Sequence, residues 1–167
     1  MTTLLNNEYI SIILKNNIIN ITVKNEMPNE ENLNIVKNTM DTFYNLCKEK
    51  NTKFFHLFNF KNISLITLPD FISNKYLVKD FFMKHYKLFQ TNLYCTALII
   101  DNFIVRNCIK LVLSIYTPSK PIAFFSTEEE SSDFFNKIKE EYKIGKWKFE
   151  EEDRKEFNDY KKVCYNE

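Results

Sequence analysis

Residues 53–58, KFFHLF, constrain this chain more than any other stretch, because they are bulky and apolar at successive positions and so present an apolar side to both faces of a strand. A half-exposed strand alternates apolar and polar side chains; a strand apolar on both sides needs cover above and below. Residues 93–100, LYCTALII, repeat the pattern. Helices on both faces of a sheet supply such cover, and the segments between these runs carry the helical period.

Residues 9–15 and 18–23 are β-branched runs flanking Asn16-Asn17, a pair suited to the positive φ angles of a type I′ turn, and predict an N-terminal hairpin. Asn29 can cap a helix with Glu30 and Glu31 in its first turn and Leu33, Val36, Met40, Phe43 and Cys47 on one stripe, ending near Lys50 with Asn51 in the turn. After the strand at 53–58, Thr67-Leu68-Pro69-Asp70 reads as a cap, a first-turn proline and an acid three residues on. The stripe Leu77, Phe81, His85 and Leu88 carries that helix to about Gln90, with a break near Ser73-Asn74. A helix from Asp101 or Asn102 to Tyr116 follows the strand at 93–100, then a short strand at 121–125. Ser126-Thr127-Glu128-Glu129 forms an S-x-x-E capping box for a last helix through Phe134, Phe135, Ile138 and Tyr142, with Gly145 as the left-handed residue beyond its end.

The order hairpin, helix, strand, helix, strand, helix, strand, helix predicts an α/β domain over residues 1–145, with a mostly parallel sheet of four to five strands, an antiparallel N-terminal hairpin and flanking helices. Residues 146–167 are expected to add a helical extension, with Phe157, Tyr160 and Cys164 at helical spacing. A chain of 167 residues with 44% hydrophobic side chains is ample for one core.

Composition removes several function classes. A formal net charge of +1 gives no field to attract a polyanion, so nucleic acid is not an expected partner. With Gly145 the single glycine, Walker-type and dinucleotide-binding phosphate loops cannot be written. The four cysteines form no CxxC pair, and reduced thiols with no metal are expected. The abundance of Asn, Lys, Ile, Phe and Tyr fits the codon usage of an AT-rich genome, so the asparagines are not taken as ligands. The first residues lack a basic leader and a cleavage site, and no apolar run is long enough to cross a bilayer. The expectation is a soluble cytoplasmic protein without membrane insertion.

The element order, with NFKNISLITLPD after the strand at 53–58 and PIAFFSTEEESSDFF near the end, resembles the STAS-like domains: the anti-sigma factor antagonists and the small bacterial STAS-like proteins related to them. Their pattern D-L-s-x-V-x-x-I-D-S-s-G falls in register with residues 59–70. Asn59 and Thr67 stand at its two aspartates, Leu68 at its phosphorylatable serine and Asp70 at its glycine. The resemblance spans about residues 8–143. It implies a non-enzymatic interaction or regulatory module that lacks the phosphoserine switch.

Candidate sites follow, each beside a plainer role. Ser64 and Thr67 lie in the loop corresponding to the switch; a phosphate on Thr67 would sit at a helix N-terminus, although capping alone explains the residue. Phe71 opens the next helix as a contact for a partner. Arg106 could hold an anion or form a surface ion pair. His56 and His85 sit on apolar stripes with no nucleophile or carboxylate nearby in sequence, and read as core histidines. The helix of residues 102–116, with Val112 among its apolar positions, is apolar nearly all round and so needs more cover than one sheet face, as a homodimer or other protein partner or the C-terminal tail would provide. No catalytic residues and no cofactor are expected. The alternative function is a small-ligand or lipid-binding domain with a groove between sheet and helices, drawing on Phe54, Phe58, Phe71, Phe81 and Phe82.

Overall fold

The computed structural model describes residues 1–24, 30–63, 75–115 and 117–143. Its centre is a six-stranded mixed sheet whose strands lie in sequence order: β1 (Thr2–Asn6), β2 (Ile10–Lys15), β3 (Ile18–Val23), β4 (Phe54–Asn59), β5 (Leu93–Ile99) and β6 (Ile122–Phe125). The first three are mutually antiparallel, and β3 to β6 are parallel. The α/β class and the hairpin are as expected from the sequence. Asn16 and Asn17 take φ of 50° and 67° in the turn, and Asn17 also anchors β4, its Nδ2 donating to Lys53 O and its carbonyl accepting from Phe55 N.

Six strands exceed the four to five expected, and β1 was not anticipated. Its Thr-Thr-Leu-Leu run is too short to carry a period, and it is a strand because β2 offers it a partner edge, with Thr2 opposite Leu14 and Asn6 opposite Ser11. Asn7 closes the connection by accepting from the N–H groups of Tyr9 and Ile10 at 3.0 and 2.8 Å, an Asx turn.

Among the described residues five helices accompany the sheet: α1 (Glu30–Glu49), α2 (Lys75–Lys84), α3 (Tyr86–Asn92), α4 (Phe103–Ser114) and α5 (Glu128–Glu141). The parallel strands advance in one direction across the sheet, and the helices that connect them share one face, as crossovers of constant hand require. On that face α1 brings Met40, Phe43, Tyr44 and Cys47 onto Ile12, Ile21 and Phe54, joined by Phe89 of α3, while Val105 and Ile109 of α4 pack with Leu98, Ile100, Phe60 and Val23. On the opposite face, Phe135 of α5 covers Phe55, Leu57, Cys95, Ala97 and Ile99. The two-faced apolar character of β4 and β5 thus reflects burial on both sides, as their sequences predict.

Two boundaries differ from the sequence reading. The cap of α5 is Thr127, one residue later than expected: its hydroxyl accepts from Glu130 N at 3.2 Å, and the Glu130 carboxylate accepts from Thr127 N. Three successive glutamates allow either register, and Ser126 is otherwise engaged, its hydroxyl accepting from Arg106 Nη2 at 3.2 Å. The helix then stops at Tyr142, and Lys143 takes the left-handed conformation, φ 51°. The expected caps Asn29 and Thr67, the break near Ser73-Asn74, Gly145 and the extension at 146–167 lie outside the described residues.

Candidate ligand-binding groove

The expected second helix is interrupted at His85, which has φ −100° and ψ 9° and separates α2 from α3. Asp41 of α1 pins the break: its carboxylate accepts from His85 Nε2 and from Lys84 Nζ, each at 2.6 Å. Burial alone would push the Asp41 carboxyl up, but the hydrogen bonds and charges of His85 and Lys84 outweigh it and hold the pKa below the ordinary carboxylate range. Beyond the break the two segments behave differently. α3 returns Phe89 to the core, whereas α2 contains no buried residue at all.

A helix that stands off the sheet leaves space beneath it. Between α1, α2 and α4 runs a groove of about 280 Å³. Leu33, Val36, Met40 and Tyr44 of α1 form one wall and Ile109, Val112 and Leu113 of α4 the other; Leu77, Val78, Phe81 and Phe82 of α2 line it as well. Phe58, Leu93, Thr96 and Leu98 make the floor, so along β5 alone it spans six residues, about 17 Å at strand rise. Polar groups are few: Asn34, Lys37, Tyr44, Thr96 and Lys120, with no carboxylate among the described lining residues.

Beside the floor lies a polar pair that is legible only in three dimensions. Tyr44 Oη and His56 Nε2 share a hydrogen bond of 2.8 Å, and His56 is wholly buried among the rings of Phe54, Phe58, Phe82 and Phe89. Desolvation, aided by the charge of His85, pushes the His56 pKa down to about 3, so the ring is neutral at neutral pH. Its Nδ1 has no hydrogen-bond partner, which fits a core histidine at some cost in stability and not a general base aligned by a carboxylate. A double-mutant cycle checks this. By chemical denaturation, Tyr44→Phe and His56→Phe should each cost about 1–3 kcal/mol, and the double variant less than their sum by at least about 1 kcal/mol; simple additivity would refute the coupling.

The sequence candidates scatter over the molecule. Ser64, Thr67 and Phe71 lie outside the described residues. Arg106 makes no ion pair with a described residue: its Nη2 donates to Ile100 O at 2.6 Å and to Ser126 Oγ, tying the ends of β5 and β6 together, and its charge helps, after the backbone N–H groups of Ser126 and Thr127, to hold Glu130 below the usual range. Val112 is only 4% exposed and lines the groove, so it is not on the outward side of α4. That side carries Phe103, Ile104 and Leu111. Of the aromatics expected in a groove, Phe58, Phe81 and Phe82 line it, while Phe54 is sealed in the core beneath α1 and α3. Phe60, Met40 and Leu33 also line it; the latter two were visible in sequence only as a core stripe.

Cys47, Cys95 and Cys108 are free thiols, and burial pushes Cys95 up to about 12 and Cys47 well above the ordinary value, which makes both poor nucleophiles. Among the described residues no group of three or more His, Cys, Asp or Glu could hold a metal, and no helix is long and apolar enough to cross a membrane. Comparison with family models, with curated proteins and with solved structures gives no match to this chain.

Proposed function

We propose that this protein is a non-enzymatic binding module for an apolar small molecule or lipid, held in the groove between the sheet and helices α1, α2 and α4. The groove itself carries the reading: its volume of about 280 Å³ is near the lower end of ligand sites, and its lining is apolar apart from a handful of polar groups, the usual composition of such sites. A flexible acyl chain laid along β5 would gain about 0.8 kcal/mol for each methylene removed from water. Helix α2, with no buried residue and four apolar side chains on the groove, is the element best suited to adjust to a guest.

Native mass spectrometry of freshly purified full-length protein is the first test, with a co-purifying apolar molecule as the expected result. Val78→Trp provides the matched control. Val78 is half-exposed on α2 and lines the groove, so an indole there should obstruct the site, lowering occupancy at least fivefold while moving the melting temperature little. Undiminished occupancy in that variant would place the guest elsewhere.

A second reading, a STAS-like interaction module that self-associates, draws on the sequence resemblance and on the outward side of α4, where Phe103, Ile104 and Leu111 are 74%, 53% and 66% exposed. Both readings can hold at once, since the groove and that surface lie on different sides of the helix.

A further inference from the structure

We propose that the guest is a long-chain fatty acid, oriented with its carboxylate at the end of the groove formed by residues 118–120; the proposal rests on the groove reading above. The charge of the lining points this way. Lys37 and Lys120 both reach the groove, and neither makes an ion pair with a described residue, while no carboxylate is among the described residues that line it. A neutral lipid would leave both ammonium groups without a counter-charge, and a cationic one would be repelled.

The Lys120 end is favoured by a second observation. Pro118 and Lys120 both line the groove at this end. Lys120 is only partly exposed, so its ammonium is the better shielded of the two and the stronger partner for a carboxylate. Lys37 is more exposed and lies on α1 beside Asn34, where the solvent competes more strongly. From residues 118–120 the groove continues past Ile122, Thr96 and Leu98 toward Phe60 and Val23, a path apolar enough for the alkyl chain.

Isothermal titration calorimetry on the delipidated full chain, with ligands kept below their micellar concentrations, distinguishes head from tail. Palmitate and hexadecanol share the chain and differ in charge. Palmitate should bind about five- to tenfold more tightly, and Lys120→Ala should remove most of that preference while leaving hexadecanol binding within about twofold. Equal affinity for the two ligands in the parent chain, or a preference that survives Lys120→Ala, overturns the head-group assignment but leaves the groove reading standing. A preference abolished by Lys37→Ala and untouched by Lys120→Ala puts the carboxylate at the other end and also overturns the assignment. If neither ligand binds, the groove reading falls as well.

Discussion

Lowering the pH from 7 to 3 should cost the fold about 4–5 kcal/mol through His56 alone. The sign follows from linkage. In the unfolded chain the imidazole titrates near pH 6.5, whereas in the folded protein burial holds it neutral down to about pH 3. Between these values the unfolded state binds more protons, so stability falls steadily as the pH drops from about 6.5 and levels off below about 3. Above 6.5 both states are neutral and the group contributes no slope. Asp41 adds a separate loss at lower pH: its folded pKa is depressed, so its contribution is present above the unfolded carboxylate value near 4 and disappears as the pH falls through the folded one. Urea denaturation from pH 7 to 3 on the parent and on His56→Phe separates the two. The variant should lose about 2–3 kcal/mol less than the parent between pH 6.5 and 4.5, and both should weaken further below about 4. Parallel curves above pH 4.5 would mean that His56 is not a buried neutral ring.

This polar pair also marks where sequence reasoning stops. KFFHLF surrounds His56 with apolar neighbours and so points it to the core, a local inference that the structure supports. Its partner Tyr44 lies twelve positions away on another element, one place beyond the Phe43 of the expected stripe, and nothing in a helical period links the two. The same holds for Asp41 and His85: the carboxylate that sequence could not find for His85 comes from α1, 44 residues earlier. Long-range polar contacts depend on which helices share a sheet face, and that follows from crossover geometry, not from local pattern.

The architecture was more legible because its signals are local and periodic. Asn16-Asn17 dictates the hairpin turn, and the two-sided apolar runs at β4 and β5 dictate a covered sheet. Where the sequence erred, a local signal was degenerate or missing: the glutamates at 128 to 130 support two capping registers, and β1 is stabilised by pairing with β2 and not by its own four apolar or β-branched residues. The groove required a further step. Leu77, Phe81 and Leu88 read as one continuous stripe, yet Asp41 fixes a break at His85, so the stripe divides into α3, which enters the core, and α2, which does not. The aromatic surplus could therefore be named as groove material, while the groove's position and its Lys37 and Lys120 could not.

Adjacent substitutions on α4 should differ in their effect by about 3–5 kcal/mol. Val112→Glu places a carboxylate on a side chain that is 4% exposed, packed between the helix and the sheet, and should lower stability by about 3 kcal/mol or more, roughly 10 °C in melting temperature. Leu111→Glu changes a residue that is 66% exposed and should stay within about 0.5 kcal/mol of the parent. The pair distinguishes the two roles open to an all-round apolar helix. The inward side is a wall of the core and of the groove, so charge there damages folding and ligand uptake together. The outward side, Phe103, Ile104 and Leu111, is exposed, so charge there should cost the fold little. Calorimetric melting and light scattering on the two variants read these outcomes apart. If the parent self-associates through α4, Leu111→Glu should give a monomer with an intact groove; an oligomer unaffected by that change would remove this surface as the interface. A melting temperature unchanged by Val112→Glu would be the more serious result, because it would mean that α4 does not seat on the sheet through Val105, Ile109 and Val112, the contact that gives the groove its second wall.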